Sequence, residues 1–207
     1  MKAVRLFAWV ALALVVFAVS LRFFNTPENK PQSGRELVDA SAGPGGPFTL
    51  TSHQDKRVSD SDFRGKYMLV YFGYSYCPDV CRIELHKLST AFSILEKEGY
   101  DLTPLAPIFI TVDPERDTVA ELADYMLDFY PGFIALTGTP EEISNVAKEY
   151  KIYYKKREQE GIDGYLMDHQ SYVFVMDPDG AFNRIFSSRD TPQDIADALK
   201  PVLEMKS

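Results

Sequence analysis

The alternation of apolar strands with helix starts limits the fold of this chain more than any other feature. An apolar run from Tyr67 to Tyr71 predicts a buried strand, and Pro78 begins a predicted helix that extends to about Glu98. A second strand, Pro107 to Val112, precedes a helix that runs from Asp117, whose carboxylate we expect to cap it, to about Phe129. This repeated order of strand and helix indicates an α/β domain.

The remaining elements place hairpins before and after this α/β core. We predict a lead-in hairpin from Phe48 to Leu50 and Val58, and a turn at residues 62–66. Downstream we predict a short strand at 134–136, a helix opened by Thr139-Pro140-Glu141-Glu142, strands at 152–154 and 172–176, a hairpin partner at 181–186, and a helix opened by Thr191-Pro192-Gln193-Asp194. This is the element order of a thioredoxin-like domain, with an N-terminal hairpin and an insertion, Lys155 to Asp168, before the C-terminal β-hairpin.

Residues 1–24 have the composition of a membrane-targeting segment. Lys2 and Arg5 precede an apolar stretch from Leu6 to Leu21, which Arg22 closes, and the segment contains no acidic residue. We predict one transmembrane helix that serves as an anchor; the alternative is a signal cleaved near Ser20. Because the positive end stays cytoplasmic, the chain after Arg22 is expected to be exported.

The predicted organisation is an anchor at 1–24, a flexible linker at 25–46 and one domain at 47–207. The linker is rich in proline and glycine and shows no apolar periodicity. The short positive end favours a bacterial inner membrane with the domain in the periplasm; the alternative is a mitochondrial inner membrane with the domain in the intermembrane space. Beyond residue 24 the chain has 19 basic and 30 acidic residues, a formal charge of −11, so nucleic acid is not expected as a partner.

The only two cysteines, Cys77 and Cys81, stand at the predicted junction of strand and helix. Proline at 78 places Cys77 at the cap position and Cys81 one turn inside the helix, where the helix dipole favours thiolates. The pair can act as a redox couple or as a metal clip. Three intervening residues suit a metal slightly better than a disulfide, because side chains at i and i+4 lie about 5–6 Å apart.

One of the three histidines is a candidate for a third ligand. We expect His53 and His86 to face solvent, whereas His169 stands near the entry to the predicted strand at 172–176, which in a thioredoxin-like domain faces the start of the first helix. Two thiolates and an imidazole form a soft donor set suited to copper. Structural zinc would need a fourth ligand, and covalent haem would need a different cysteine motif.

Several motifs in this order resemble the SCO/SenC family of membrane-anchored copper chaperones. They are Gly46-Pro47-Phe48, Asp62-Phe63-Arg64-Gly65-Lys66, the segment from Tyr71 to Cys81, Val112-Asp113-Pro114-Glu115-Arg116-Asp117, Leu136-Thr137-Gly138-Thr139 and Asp168-His169. The resemblance covers residues 45–205. It implies a thioredoxin-like fold, an N-terminal transmembrane helix and one copper ion, Cu(I) or Cu(II), bound by Cys77, Cys81 and His169.

The resemblance also implies a client and an auxiliary acidic residue. The client is the copper-site subunit of cytochrome c oxidase, served by copper delivery or by maintenance of its thiols, and an upstream copper donor or thiol reductant is a further expected partner. Asp113 matches an acidic family position near the site, where it either supports the ligands or a partner contact, or only caps a turn. Arg82 and Gln170 depart from the family pattern, which bears on partner choice and not on metal binding.

Two alternatives to the metallochaperone remain open at this point. A membrane-tethered thiol-disulfide oxidoreductase acting on exported dithiols would use Cys77 and Cys81 but would not need His169. A peroxidase of the peroxiredoxin type is more distant, because the residue three positions before Cys77 is Tyr74 and not the threonine of that pattern.

Overall fold

The computed structural model of the protein describes residues 43–158 and 164–204. The predicted anchor at 1–24 and most of the predicted linker lie outside these residues, so the predictions made for them stay predictions. No helix within the described ranges is both long enough and apolar enough to span a membrane. Gly45, near the end of the predicted linker, already donates a backbone hydrogen bond to the carbonyl oxygen of Glu149 at 2.9 Å.

The described residues form nine strands and four α-helices. The strands are β1 (Thr49–Ser52), β2 (Arg57–Ser59), β3 (Tyr67–Gly73), β4 (Leu105–Thr111), β5 (Ile134–Thr137), β6 (Tyr154–Glu158), β7 (Tyr165–His169), β8 (Val173–Met176) and β9 (Phe182–Phe186). The helices are α1 (Val80–Lys97), α2 (Val119–Met126), α3 (Pro140–Glu149) and α4 (Pro192–Glu204), and a short 3-10 helix spans Asp60–Phe63.

Seven strands form one mixed sheet in the order β2-β1-β5-β4-β3-β8-β9. Strands β3, β4 and β5 run parallel, and the outer pairs are antiparallel. Every residue of β3 and of β4 is buried, as expected for central strands covered on both faces. This arrangement is the predicted thioredoxin-like α/β architecture with its N-terminal hairpin.

The central strands bring the two loops of the site to one edge of the sheet. Strand β3 ends at Gly73 and β4 ends at Thr111, and these two residues pair across the parallel ladder. Because parallel strands have their carboxyl ends on the same edge, the loop from β3 to α1, which carries the cysteines, lies beside the loop from β4 to α2.

Two helix starts differ from the prediction. Helix α1 begins at Val80 with Asp79 as the N-cap residue, so Cys77 and Pro78 lie in the preceding turn and Cys81 is the second helical residue. Helix α2 is capped by Thr118, whose side chain accepts a hydrogen bond from the backbone N–H of Glu121, and not by Asp117. In contrast, the capping box at Thr139 and Glu142 is confirmed.

Within the described part of the predicted insertion, residues 155–158 and 165–168 lie in two strands. Strands β6 and β7 pair as an antiparallel hairpin in register Tyr154 with His169, and they form a sheet separate from the main one. The strand predicted at 152–154 therefore begins only at its last residue. The high charge of 155–168 hid the pattern, because the side chains of β6 are mostly exposed.

Candidate metal centre

The cysteine loop places both thiols at the buried start of α1. Cys77 is 7% exposed and Cys81 is fully buried. The backbone N–H of Cys77 donates to the carbonyl oxygen of Tyr74 at 3.2 Å, which closes a turn before the helix. Both thiols are free.

Gly73 makes room for the buried thiol at the end of β3. A Cβ atom at this position would lie 3.0 Å from the sulfur of Cys81 and 2.9 Å and 3.0 Å from ring atoms of Tyr71 and Phe109. The first distance is shorter than real Cβ contacts and the other two are tight, so a larger residue here would have to displace the Tyr71 ring and push on the Cys81 sulfur.

His169 reaches the thiols from the far end of the β6–β7 hairpin. Its Nε2 lies 3.3 Å from the sulfur of Cys81, and the ligand atoms of Cys77, Cys81 and His169 all lie within 4.8 Å of one another. Its Nδ1 lies 3.0 Å from the carbonyl oxygen of Gln170. That oxygen only accepts hydrogen bonds, so in the tautomer with the proton on Nδ1 the lone pair of Nε2 is available to a metal ion.

Two buried tyrosines hold the imidazole ring in place. The rings of Tyr71 and Tyr74 meet the ring of His169 edge to face, with centroids 6.3 Å and 5.8 Å away. The hydroxyl of Tyr71 bonds to that of Ser171 at 3.1 Å and also reaches the Cys81 thiol, and burial raises its pKa. Tyr71 therefore supplies a hydroxyl, protonated at neutral pH, beside the sulfur.

The two thiols share one proton. A hydrogen bond from Cys81 is the main reason that the pKa of Cys77 falls to about 4, with a smaller contribution from His169. The same hydrogen bond, together with burial, raises the pKa of Cys81. That the helix dipole favours thiolates at this position stays a prediction; in the metal-free protein the hydrogen bond between the two groups, together with burial, keeps the proton on Cys81.

Asp117 holds the cysteine loop in place through hydrogen bonds to Ser75. The side chain is fully buried and accepts hydrogen bonds from the backbone N–H of Ser75 at 3.1 Å, from the Ser75 hydroxyl at 2.5 Å and from the Thr111 hydroxyl at 2.5 Å. Burial raises the pKa of this carboxyl. Sequence reasoning missed this role, because an aspartate just before a helix is an ordinary cap residue.

Asp113 follows β4 and is 2% exposed. It accepts hydrogen bonds from the Arg116 guanidinium at 2.5 Å and from the Tyr165 hydroxyl at 2.7 Å, while its carbonyl oxygen accepts from the backbone N–H groups of Arg116 and Asp117. Asp113 therefore closes a turn and also connects the β4–α2 loop to β7. The predicted role of Asp113 in supporting the copper ligands or a partner contact stays a prediction.

The other two histidines lie away from the thiols. His86 is exposed, as predicted, and its ring packs against that of Phe129 at a tilt of 53°, with centroids 4.9 Å apart. The solvent-facing prediction for His53 is wrong in detail, because His53 is half-buried and its Nδ1 accepts a hydrogen bond from the backbone N–H of Ala135 at 3.0 Å.

The two departures from the family pattern have local partners. Arg82 is exposed and forms an ion pair with Asp128 at 2.7 Å, and its guanidinium lies 5.2 Å from the centroid of the Tyr125 ring. Gln170 accepts a hydrogen bond from the backbone N–H of Tyr153 at 3.1 Å, besides the contact of its carbonyl oxygen with His169.

The donor set fits a soft metal ion. Two sulfurs and one imidazole nitrogen converge, one sulfur is already a thiolate, and the other can lose its proton to a bound cation. Thiolates select Cu(I), and the imidazole also suits Cu(II). These are the only three His, Cys, Asp or Glu side chains that form such a cluster among the described residues.

Comparisons with known proteins agree with this site. A family model described as SCO1/SenC matches residues 39–204. The mitochondrial SCO1 homolog 1 of Arabidopsis thaliana is 42% identical over 170 residues, which are 82% of this chain and 48% of that protein. The crystal structure of Arabidopsis thaliana ScoI with copper bound has a TM-score of 0.72 and 37% identity, and the match covers 78% of this chain and 99% of that chain.

A further solved structure is BsSco, a member of the Sco family of cytochrome c oxidase assembly proteins in which a disulfide switch was identified. It has a TM-score of 0.64 and 26% identity, and the match covers 83% of this chain and 100% of that chain. This chain spans 48% to 64% of the length of three curated relatives that it matches.

The fold and the site define a thioredoxin-like protein with a thiol pair at the start of its first helix, completed by a histidine. The chain belongs to the SCO1/SenC family, since the family model covers most of its length. The family resemblance that the motifs indicated is thereby confirmed.

Proposed function

We propose that this protein is a copper metallochaperone. It binds one copper ion through Cys77, Cys81 and His169 and delivers it to, or maintains the thiols of, the binuclear copper site of cytochrome c oxidase. The observation that carries the proposal is the convergence of these three ligand atoms within 4.8 Å, from segments almost ninety residues apart.

The relatives support both the metal and the client. Arabidopsis thaliana ScoI was solved with copper bound, and BsSco belongs to a family of cytochrome c oxidase assembly proteins. A chaperone must release its cargo as well as hold it. A site with three protein ligands leaves copper open to a ligand from the receiving protein, so the ion can pass by stepwise exchange.

The burial of the ligands indicates the order of that exchange. His169 is half-buried, Cys77 is 7% exposed and Cys81 is fully buried. An incoming thiolate therefore reaches the copper from the side of His169 and Cys77, and the bond between copper and the Cys81 sulfur is the last to break. Because the metal-free pair keeps one proton, binding at pH 7 releases about one proton from the thiols.

Copper titration of the purified protein tests the proposal. We expect one ion per chain, and thiolate-to-Cu(II) absorption that weakens in His169→Ala. The matched control is His86→Ala, which removes an exposed imidazole far along α1 and should leave both readouts unchanged. A stoichiometry that survives the combined change of Cys77→Ala and Cys81→Ala would contradict copper binding at this site.

A second candidate function is thiol-disulfide exchange, favoured by the low pKa of Cys77. Its thiolate would attack a disulfide of an exported protein and form a mixed disulfide, which Cys81 would resolve, so that the client is reduced and Cys77 and Cys81 become oxidised. An upstream thiol reductant would restore the pair. If His169→Ala left oxidase assembly intact while Cys77→Ser abolished it, this function would replace the first.

We further propose that residues 1–24 anchor the domain to a membrane, and that the linker at 25–46 lets it reach membrane-bound neighbours. The basic residues Lys2 and Arg5 before the apolar stretch support export of the domain across an inner membrane, and we place it in a bacterial periplasm. The mitochondrial names of several relatives support the alternative, an inner mitochondrial membrane facing the intermembrane space. Fractionation of cells with protease protection of the domain distinguishes these locations.

A further inference from the structure

A cluster of side chains joins the β6–β7 hairpin to the β4–α2 loop and to the cysteine loop. We propose that Arg116 and Tyr165 form a latch, anchored on Asp113, that positions His169 against the thiols and thereby sets how readily copper is released. This inference rests on the proposed function, since it concerns the regulation of the same site. Arg116 and Tyr165 are positioning residues and not ligands.

Arg116 is the centre of the latch. Its Nε donates to the carboxylate of Asp113 at 2.5 Å, and its Nη1 donates to the backbone carbonyl oxygen of Tyr165 at 2.9 Å. The guanidinium also lies 3.7 Å from the centroid of the Tyr165 ring, 4.9 Å from that of Tyr76 and 5.6 Å from that of Tyr74. One side chain thus contacts β7 and the loop that carries Cys77. A planar guanidinium forms favourable cation–π contacts with aromatic rings such as these.

Tyr165 connects β7 to the same carboxylate. Its hydroxyl donates to Asp113 at 2.7 Å, and burial together with this hydrogen bond raises its pKa. On the outer side, the ammonium of Lys156 lies 3.7 Å from the ring centroid and pairs with Glu115 at 3.1 Å. Both strands of the hairpin are therefore tied to the β4–α2 loop.

The hairpin needs such ties because it is not part of the main sheet. Within the described ranges β6 and β7 pair only with each other, so side-chain contacts fix where the hairpin lies. Tyr165 and His169 are the two ends of β7, four residues apart. Tyr74 adds a contact between its hydroxyl and the backbone of Met167, midway along the strand. If the Tyr165 end moves, the His169 end loses its alignment with Cys81.

The latch also lies where a client would make contact. Tyr76 is 49% exposed, precedes Cys77 directly and faces the Arg116 guanidinium. One Arg116 nitrogen, Nη2, is buried without a hydrogen-bond acceptor among the described residues. A partner that displaces the exposed Tyr76 would gain access to this nitrogen, pull Arg116 from Tyr165 and withdraw His169 from the copper, which leaves only the two sulfurs to exchange.

Rates of Cu(I) transfer to a chelating probe test the latch. We expect Arg116→Gln to bind one copper ion but to release it about tenfold faster, a change that corresponds to about 1.4 kcal/mol. Tyr165→Leu, which keeps the pair of Arg116 with Asp113, should act in the same direction. Arg157→Gln is the matched control, because Arg157 is on the same hairpin but pairs with exposed Asp168.

Combining each change with His169→Ala separates positioning from a general loss of structure. If the latch acts through His169, Arg116→Gln has no further effect on release in the His169→Ala background. An equal acceleration in both backgrounds, or an unchanged rate in the wild-type background, would overturn the inference. Wild-type protein that binds no copper would instead overturn the proposed function.

Hydrogen exchange of the metal-free protein tests the latch without copper. We expect faster amide exchange at residues 165–169 in Arg116→Gln and Tyr165→Leu, with the amides of β3 unchanged. Equal exchange in wild type and both variants would refute the latch, even if copper binding follows the proposed function.

Discussion

Removal of the Asp117 carboxylate should destabilise the domain through the loop that carries the cysteines. Asp117 is fully buried and accepts hydrogen bonds from three donors, the N–H and hydroxyl of Ser75 and the hydroxyl of Thr111. Asp117→Ala leaves these donors without their acceptor in a cavity. Ser75 is only half-buried, so water can satisfy part of the loss there, whereas Thr111 is fully buried.

The magnitude follows from these contacts. Each buried donor left unsatisfied costs about 1–3 kcal/mol, and the charge of Asp117 itself is costly to bury, which offsets part of the loss. We therefore expect Asp117→Ala to lower the free energy of unfolding by about 3 kcal/mol. For a domain of this size that corresponds to a fall in Tm of about 6–12 °C. Asp117→Asn keeps one acceptor oxygen and should cost about 1 kcal/mol.

Urea unfolding of the metal-free, reduced protein measures both variants. Asp128→Ala is the matched control, because it removes an exposed carboxylate whose pair with Arg82 should contribute under about 1 kcal/mol. The reasoning is refuted if Asp117→Ala unfolds within about 0.5 kcal/mol of wild type, or if Asp117→Asn is as damaging as Asp117→Ala.

Four further predictions concern the thiol pair and its surroundings. Cys77 should react with iodoacetamide at a constant rate from pH 7 down to about its pKa of 4, and Cys81→Ala should move this titration towards alkaline pH because the hydrogen bond from Cys81 is lost. The pKa of Cys77 is lowered in the folded state, so the stability that its thiolate contributes is fully present above the ordinary thiol pKa and is lost as pH falls through about 4. Acid unfolding of wild type and of Cys77→Ala measures this contribution. Gly73→Ala should cost about 1–3 kcal/mol in urea unfolding and weaken copper binding, because its methyl group would displace the sulfur of Cys81; unchanged affinity would contradict the close approach. Glu84→Ala should cost about 3 kcal/mol, because it removes the carboxylate that pairs with the half-buried ammonium of Lys87 at 2.7 Å and leaves that ammonium only the carbonyl oxygen of Ser187 at 3.1 Å. A loss under about 1 kcal/mol would show that water replaces Glu84.

The sequence was sufficient to predict the architecture and the three side chains that meet. The order of apolar runs and helix starts fixed the α/β arrangement, because central strands buried on both faces read as continuous apolar segments, as β3 does. The position of His169 relative to the thiols followed from the thioredoxin-like element order, and the structure brings its Nε2 to 3.3 Å from Cys81.

Details that depend on tertiary contacts were beyond the sequence. Asp117 has the spacing of a helix cap, and only the approach of Ser75 makes it an anchor for the cysteine loop. The pairing of β6 with β7 was hidden by their charged side chains, and nothing in the sequence links Tyr165 to Arg116. The unequal pKa values of Cys77 and Cys81 likewise arise from their hydrogen bond and not from their positions along the helix.

The coordination of copper in the loaded protein tests the central proposal most directly. X-ray absorption at the copper edge of the Cu(I) form should show two sulfur ligands and one imidazole nitrogen. In His169→Ala the nitrogen contribution should disappear while both sulfurs remain. A wild-type spectrum without two sulfur ligands, or a nitrogen contribution that persists in His169→Ala, would contradict the assignment of Cys77, Cys81 and His169 as the copper ligands.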